Sequence, residues 1–525
     1  MTEKNTNVDL QASQNSSLAD DSSLPNSTDF VCADPRKWSD HFYRWRPQYH
    51  VMPSHGWVND PCAPGYNEVT GFYHLAFQWN PKGNTWGNIA WGVARSQDLV
   101  HWKVSSMPSI EPSSKGATHG IFTGSMRATN YEGEIDGSLT CFYTAAQHLP
   151  IHYTLPYISG SETVHIAISR DDGRTWKRHA GNPVVASPPG TCEVTAWRDP
   201  YVTRWESMDR VLGKSAPSLY GLITGGLKFE TPTIFLYEVD SQALDRWTYV
   251  FSLVNFGLNF SPSRWCPDFG VNFEVANLVT LRDSKERVHD IMIVGVEGVD
   301  TKAMAAEKNS VARDRRQMWF CGALSGPDSE VHLRFRYGGC LDYGCLYATN
   351  SFWDSVSNQY VAFGWIQEDL SDDLVDRQNW CGSLSIPRVL GLKELTSVSE
   401  TLKSPLTEIT SVDVQFDAEG TATIYTLAIM PDIRLQNLRG AKASLDAQAL
   451  AQSAAKSACI CFVNGERAWE LEVLCMAQSC SQVGLEISHS NVRYSSMVEF
   501  STLTSIQAGN SILERTLSLT WRDSS

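Results

Sequence analysis

The 525-residue sequence contains no run near the ~18 consecutive apolar residues that a membrane span requires. It has no basic excess: 43 Lys and Arg face 58 Asp and Glu, for a net charge of −15. That balance argues against nucleic acid and an anionic membrane surface as partners, because both need clustered cations to neutralise phosphates. A small neutral ligand is compatible with such a field. There is no CxxC pair; the 13 cysteines are odd in number and scattered, so neither a zinc site nor another metal or cofactor is expected. Cys340 and Cys345, or Cys475 and Cys480, read as buried thiols. Residues 1–36 have neither the basic start nor the apolar core of a secretory leader. Rich in Ser, Asn and Asp, they read as a disordered tail. With the cysteine pattern, this predicts a reducing, cytoplasmic location. Asn15, Asn26 and Asn259 fit the glycosylation pattern and are then expected to stay unmodified.

Tryptophan, by contrast, is plentiful at 18 residues. Indoles either fill a core or stack on the C–H faces of sugar rings, and composition leaves both open. Helical periodicity is scarce. Short β-branched or aromatic runs alternate with Gly, Pro, Asn and Asp, the pattern of an all-β chain. Three runs end alike: "IAWGVARSQDLVHW", "VHIAISRDDGRTW" and "TIFLYEVDSQALDRW". Each is a strand, a polar turn carrying Asp, and then Trp102, Trp176 or Trp247. The spacing of roughly 70 residues reads as a blade repeat of a β-propeller, with unrelated hairpins of a sandwich as the alternative. "SLSIPRVLGLKEL" (383–395) closes this region. Strand-like runs from about residue 405 predict a second β domain, a sandwich. Its Ala-rich segment 441–458 reads as a surface helix.

If the propeller carries chemistry, the reacting groups should come from the inner strands of different blades. Asp60 in "GWVNDPCAPG", Asp199 in "AWRDPYV" and Glu274 in "FGVNFEVANL" follow one another at about two blade lengths and then one. Each sits among apolar residues, where a carboxylate must be hydrogen-bonded or used. Taken singly, each also reads as a turn cap. Carboxylates without metal or phosphate motifs point to glycoside cleavage, one attacking the anomeric carbon and one donating a proton. Glu274, among Phe273, Val275 and Ala276, suits the protonated donor; Asp60, beside Asn59, suits the ionised attacker.

Longer stretches carry a family resemblance. "YRWRPQYHVMPSHGWVNDP" resembles the opening of glycoside hydrolase family 32, the invertase, inulinase and fructosyltransferase family. The likeness continues through "FYHLAFQWNPKGNTWGNIAWGVARSQDLVHW", "IFTGS", "WRDP", "LDYGCLYATNSFWD", "FGWIQED" and "NWCGSLSIPRVL", covering roughly residues 43–395. It implies a five-bladed propeller over 37–395 followed by a β-sandwich over 396–525. It implies Asp60 as nucleophile, Asp199 as transition-state stabiliser helped by Arg198, and Asn59, Gln78, Trp86, Thr123, Gly124 and Arg198 as substrate-binding residues of a fructose pocket.

Three departures stand out. The family's acid sits in Glu-Cys-Pro, whereas here Trp265 precedes Cys266 and Pro267. Glu274, in an Asn-Phe-Glu-Val context similar to some fungal-type members, is therefore preferred to Asp268, which suits a turn cap. Cys62 replaces an Asn after the Asp-Pro; as a weak hydrogen-bond donor it is expected to loosen the grip on water and favour a sugar acceptor. The C-terminal domain stops at "LSLTWRDSS", without the closing strands expected of the sandwich. The resulting expectation is a retaining β-fructofuranosidase acting on sucrose, with hydrolysis and fructosyl transfer in competition. A furanosidase for arabinofuranosides and a sugar-binding propeller that has lost its acid are the alternatives. The latter requires Glu274 to point into the core.

Overall fold

The computed structural model describes residues 39–44, 46–113, 119–190, 192–299, 315–325, 331–368, 370–401 and 404–440, and strands 468–474, 482–488, 495–501, 506–508 and 516–522. The expected tail 1–36, the Ala-rich segment 441–458, Cys475 and Cys480 lie outside them.

Five antiparallel sheets surround a central channel as the blades of a propeller. Their inner strands are Gly56–Asn67, Gly120–Arg127, Val194–Arg204, Asn272–Arg282 and Leu346–Asp354. The three tryptophan-terminated runs are the third-to-fourth-strand turns of blades 1, 2 and 3. In each, the indole N–H donates to the carbonyl three residues back: Trp102 to Leu99 at 3.1 Å, Trp176 to Gly173 at 3.1 Å and Trp247 to Leu244 at 3.0 Å. Asp98, Asp171 and Asp240 accept backbone N–H bonds inside the same turns. The repeat is therefore a folding device: an acidic cap closes the turn and a ring starts the outer strand.

Blades pack face to face on apolar side chains, which explains why strands buried on both faces read as nearly continuous hydrophobic runs. The most extensive cluster lies between blades 3 and 4 and includes Trp205, Tyr220, Leu236, Phe273, Met292 and Phe320. Within blade 3, Trp247 lies over Gly221, where a Cβ would stand 2.1 Å from the ring, and it meets Phe142 of blade 2 at 5.9 Å.

The ring closes by parallel pairing of Trp380 and Cys381 with Gly56 and Trp57, the first residues of blade 1. Trp380 is 1% exposed and its indole donates to the Phe42 carbonyl at 2.9 Å, so the closing strand is anchored in the core. Beyond it, strand Arg388–Thr401 pairs with blade 5 at one end and with Ala422–Pro431 along its length. It runs through the position 395/396 at which the sequence suggested a boundary. Blade 5 and the first sheet of the C-terminal β-sandwich thus form one seven-stranded sheet. The "TLSLTWR" strand pairs in full with Ala468–Leu474.

Trp380→Ala removes the anchor of the closing strand. It should cost about 3–5 kcal/mol of stability, read as a lower urea midpoint at unchanged slope.

Candidate active site

Asp60 reaches the channel because the ladder is interrupted beneath it. The register between the first two strands of blade 1 shifts between Val58 and Pro61. Such a bulge re-aims consecutive side chains, and Pro61 has no N–H to leave unpaired there. The Trp57 indole donates to Asn59 Oδ1 at 3.1 Å, which fixes the Asn59 amide with its NH₂ forward. That NH₂ donates to Asp60 Oδ1 at 3.1 Å and to Gln78 Oε1 at 3.0 Å. Gln78 Nε2 donates to Asp60 Oδ2 at 3.2 Å and to Thr123 Oγ1 at 2.6 Å; Thr123 then donates to Asp60 Oδ2 at 2.5 Å. A closed ring of amide and hydroxyl donors holds the carboxylate in one orientation. Burial nevertheless pushes its pKa up to about 6, aided by the nearby Glu274 charge and opposed by the Thr123 and Asn59 donors.

Asp199 sits on the bulge of blade 3 with φ of 66°, a left-handed conformation that is uncommon outside Gly and Asn. Thr144 Oγ1 accepts its N–H at 2.8 Å, and the N–H of Val275 on the next blade donates to its Oδ2 at 3.1 Å. Burial raises its carboxyl pKa well above the ordinary value; Arg198 opposes this, while the Glu274 and Asp60 charges add to it. These mutual repulsions are a geometric statement as well: Asp60, Asp199 and Glu274, from blades 1, 3 and 4, converge on one channel.

Glu274 lies at the third bulge, beside Val275 with φ of 48°. Its side chain is 15% exposed, so it faces the channel and not the core, against the geometry that a purely sugar-binding propeller requires. Arg198 Nε and Nη2 donate to its Oε1 at 3.0 and 2.9 Å, and the Tyr347 hydroxyl donates to its Oε2 at 2.7 Å. Burial alone would raise Glu274, but Arg198, Arg315 and Tyr347 together lower it below the ordinary glutamate value. This reverses the assignment made from flanking residues. Glu274 is held ionised and Asp60 is the carboxyl pushed up, because two guanidinium groups, Arg198 and Arg315, favour the charge on Glu274.

The remaining candidates fall into place around these acids. Arg198 was expected among the residues lining a fructose pocket. The structure turns its guanidinium to carboxylates: besides Glu274, it reaches Glu162 at 2.8 Å and Glu297 at 3.3 Å. Gly124 is a packing position, since a Cβ there would stand 1.8 Å from the Phe142 carbonyl oxygen. Trp86, 47% exposed, meets Phe122 edge-on at 5.8 Å at the mouth. Across from it, Trp57 and Trp365 meet at 5.5 Å. Asp268 is a turn acceptor for Asn259 and the Gly270 N–H, as the sequence suggested. Cys62 is fully buried and its thiol lies 3.4 Å from the Asp60 carbonyl oxygen. It therefore touches neither water nor sugar, which removes the direct route by which it was expected to influence the acceptor.

Sequence reading missed Glu162, Glu297, Arg315 and Tyr347. Glu297 accepts from Arg315 at 2.6 Å and from Asn272 at 2.9 Å. Glu162, Glu297 and Arg315 begin or end second or third strands, where nothing in the local pattern marks a charge as channel-facing. Tyr347 lay within a motif already noted, and its place on an inner strand was the usable signal. Among the described residues no cluster of His, Cys, Asp and Glu has the arrangement of a metal site.

Fold and site define a five-bladed propeller that gathers carboxylates from four blades and continues into a β-sandwich. Residues 50–404 match the glycosyl hydrolases family 32 N-terminal domain, and the chain belongs to that family. It is 29% identical over 382 residues to the insoluble isoenzyme 2 of β-fructofuranosidase from Oryza sativa subsp. indica, covering 69% of this chain and 56% of that protein. It thus spans little more than half the length of that relative. Among solved structures it is similar to the Aspergillus kawachii β-fructofuranosidase complexed with glycerol, with a TM-score of 0.71, 21% identity, and 92% of this chain and 87% of that one covered. It is also similar to the fructosyltransferase from A. japonicus, with a TM-score of 0.70, 22% identity, and 92% and 88% covered. At these identities the two structures speak to the fold.

The raised Asp60 pKa is also a statement about stability. A carboxyl whose folded pKa exceeds its unfolded value stabilises the fold below the unfolded pKa, and this is lost as pH rises through the folded pKa. Asp60→Asn should therefore be more stable than the parent at pH 7 by about 1–3 kcal/mol. The gain should vanish below about pH 4, as measured by denaturant unfolding at both values.

Proposed function

We propose that the chain is a retaining β-fructofuranosidase that cleaves sucrose, with hydrolysis and fructosyl transfer competing for a covalent fructosyl-enzyme. The observation that carries this reading is the convergence of an oriented Asp60 with Glu274 in one channel, each held by its own set of donors. In the first step Asp60 attacks the fructosyl anomeric carbon as the bond to the glucosyl oxygen breaks, and that oxygen takes the proton of Glu274. In the second, Glu274 accepts a proton from water or a sugar hydroxyl, whose oxygen displaces Asp60 and leaves the protein regenerated. Asp199, buried and fixed by the Val275 N–H, accepts hydroxyls of the fructosyl ring as charge develops there. Asn59, Gln78 and Thr123 keep Asp60 aligned, and Trp57, Trp86 and Trp365 offer apolar faces to the sugar.

This chemistry uses the singly protonated Asp60–Glu274 pair, with the proton on Glu274. The donors around the two acids favour the opposite distribution, so the reactive form is the minor one. The cytoplasmic address belongs to the same proposal; it is supported by the buried free thiols of Cys62, Cys141, Cys266, Cys321, Cys340 and Cys381.

Purified protein incubated with concentrated sucrose should release glucose in excess of fructose while trisaccharides appear; equal amounts would reduce the proposal to hydrolysis. Absence of glucose would overturn it. Asp60→Ala should show no cleavage, and Glu274→Ala should lose about 10²–10⁴-fold.

The pH profile of kcat/KM should be bell-shaped. Its acid limb, lying below the ordinary glutamate value, reports protonation of both carboxyls, and its alkaline limb near 6 reports loss of the last shared proton. Tyr347→Phe removes a donor to ionised Glu274 and should move the acid limb up.

A further inference from the structure

The channel has a second end. Past the carboxylates, the inner strands continue to a cavity of about 290 Å³ whose lining includes Tyr66, Arg127, Thr129, Tyr201, Asn350 and Trp353. That is near the lower bound for small-molecule sites, ~300 Å³. Thr123 and Arg127 share the inner strand of blade 2, so at ~3.3 Å per residue the cavity lies about 13 Å from the carboxylates. Asn350 stands between the two, its amide donating to the Pro61 and Gly124 carbonyls at 3.3 and 3.0 Å.

Arg127 supplies the positive charge of this cavity. It is half-buried, and among the described residues its side chain makes neither an ion pair nor a hydrogen bond. Burial, then the like charge of Arg204, lower its pKa, and Tyr201 opposes them. Arg198, Arg315, Arg388 and Arg434, by contrast, all contact carboxylates at 2.6–3.3 Å. Glu68, exposed at the rim of the cavity, does not pair with Arg127. In a chain of net charge −15, a cation left unmatched in a cavity is costly unless an anion from outside completes it.

The neutral lining narrows the ligand. Thr129 and Asn350 are 5% and 2% exposed, and each carries a side-chain oxygen without a partner; both oxygens can accept from hydroxyl groups. Trp353, 49% exposed, and Tyr360 meet edge-on at 5.0 Å and offer aromatic surface at the mouth. We propose that this cavity is a second ligand site, separate from the carboxylate channel, for a small organic anion: a phosphate or carboxylate on Arg127, with a hydroxylated ring against Trp353. The proposal is independent of which glycoside the carboxylates cleave.

The test is calorimetric titration of the full chain with glucose 6-phosphate, citrate, inorganic phosphate and glucose, repeated on Asp60→Ala and Arg127→Gln. Glucose 6-phosphate should bind saturably and equally well to Asp60→Ala, and at least about tenfold more weakly to Arg127→Gln. Glucose alone should leave this site empty. Trp353→Ala, an exposed position that folding tolerates, should weaken glucose 6-phosphate but not inorganic phosphate. Failure of all three anions to bind, undiminished binding to Arg127→Gln, or loss of binding in Asp60→Ala would overturn the site. Equal affinity for inorganic phosphate and glucose 6-phosphate would overturn the ring-bearing ligand.

Discussion

Arg198 donates to Glu162 of blade 2 and to Glu274 and Glu297 of blade 4 from its own strand in blade 3, and the charge state of the whole channel is set against that buried cation. Glu162, Glu274, Glu297, Asp60 and Asp199 are gathered in a low-dielectric space with the guanidinium groups of Arg198 and Arg315 beside them. Five carboxyls facing two guanidinium groups cannot all ionise together. The surplus protons settle where burial and repulsion are greatest, which raises Asp199 well above its ordinary value, Asp60 to about 6 and Glu297 to about 7. The same guanidinium that holds Glu274 in position thus governs where the exchangeable protons reside. Positioning and proton inventory are one interaction here, and neither changes without the other.

A second constraint is geometric. Every inner strand carries a break in register near the channel: at Val58/Pro61, Ile121/Gly124, Leu222/Thr224 opposite Asp199, Glu274/Asn277 and Tyr347/Asn350. Asp199, Val275 and Ala348 take left-handed backbone conformations at or beside these breaks, and Ala63 does so at a further shift in blade 1. Non-glycine residues in that region store strain that only a rigid surrounding sustains. The blades supply that rigidity, and the bulges use it to turn neighbouring side chains to the axis together. Amide side chains fill the gaps in the ladder. Asn277 Nδ2 donates to the Val275 and Thr349 carbonyls, and its oxygen accepts the Ser351 N–H at 2.6 Å.

Much of this was legible in the sequence because it is written locally. The tryptophan repeat marks turns that close through contacts three residues apart, so a linear reading finds them and the length of a blade, while the count of five came from the family resemblance. Asp60, Asp199 and Glu274 were legible for the same reason: each follows a strand signature and lies a blade or two from the next. What escaped was written across blades. The weakest inference was protonation. Phe273 and Val275 suggested an apolar, protonated Glu274, yet alternation along a strand sends its neighbours to the other face. The residues that fix its charge, Arg198 and Arg315, are 76 positions earlier and 41 later in number and adjacent only in space. The misreading of Arg198 as a sugar ligand has the same origin, since no local feature reveals three carboxylates arriving from other strands.

The strand Arg388–Thr401 belongs to blade 5 at its start and to the sandwich along the rest of its length. A propeller ends in a blade whose outer strand has no successor, and an open row of N–H and C=O groups there invites other chains to add themselves as strands. Here that row is occupied from within the same polypeptide. For blade 5 the sandwich acts as a resident edge protector, and cutting the chain between the two would turn a soluble blade into a template for self-association.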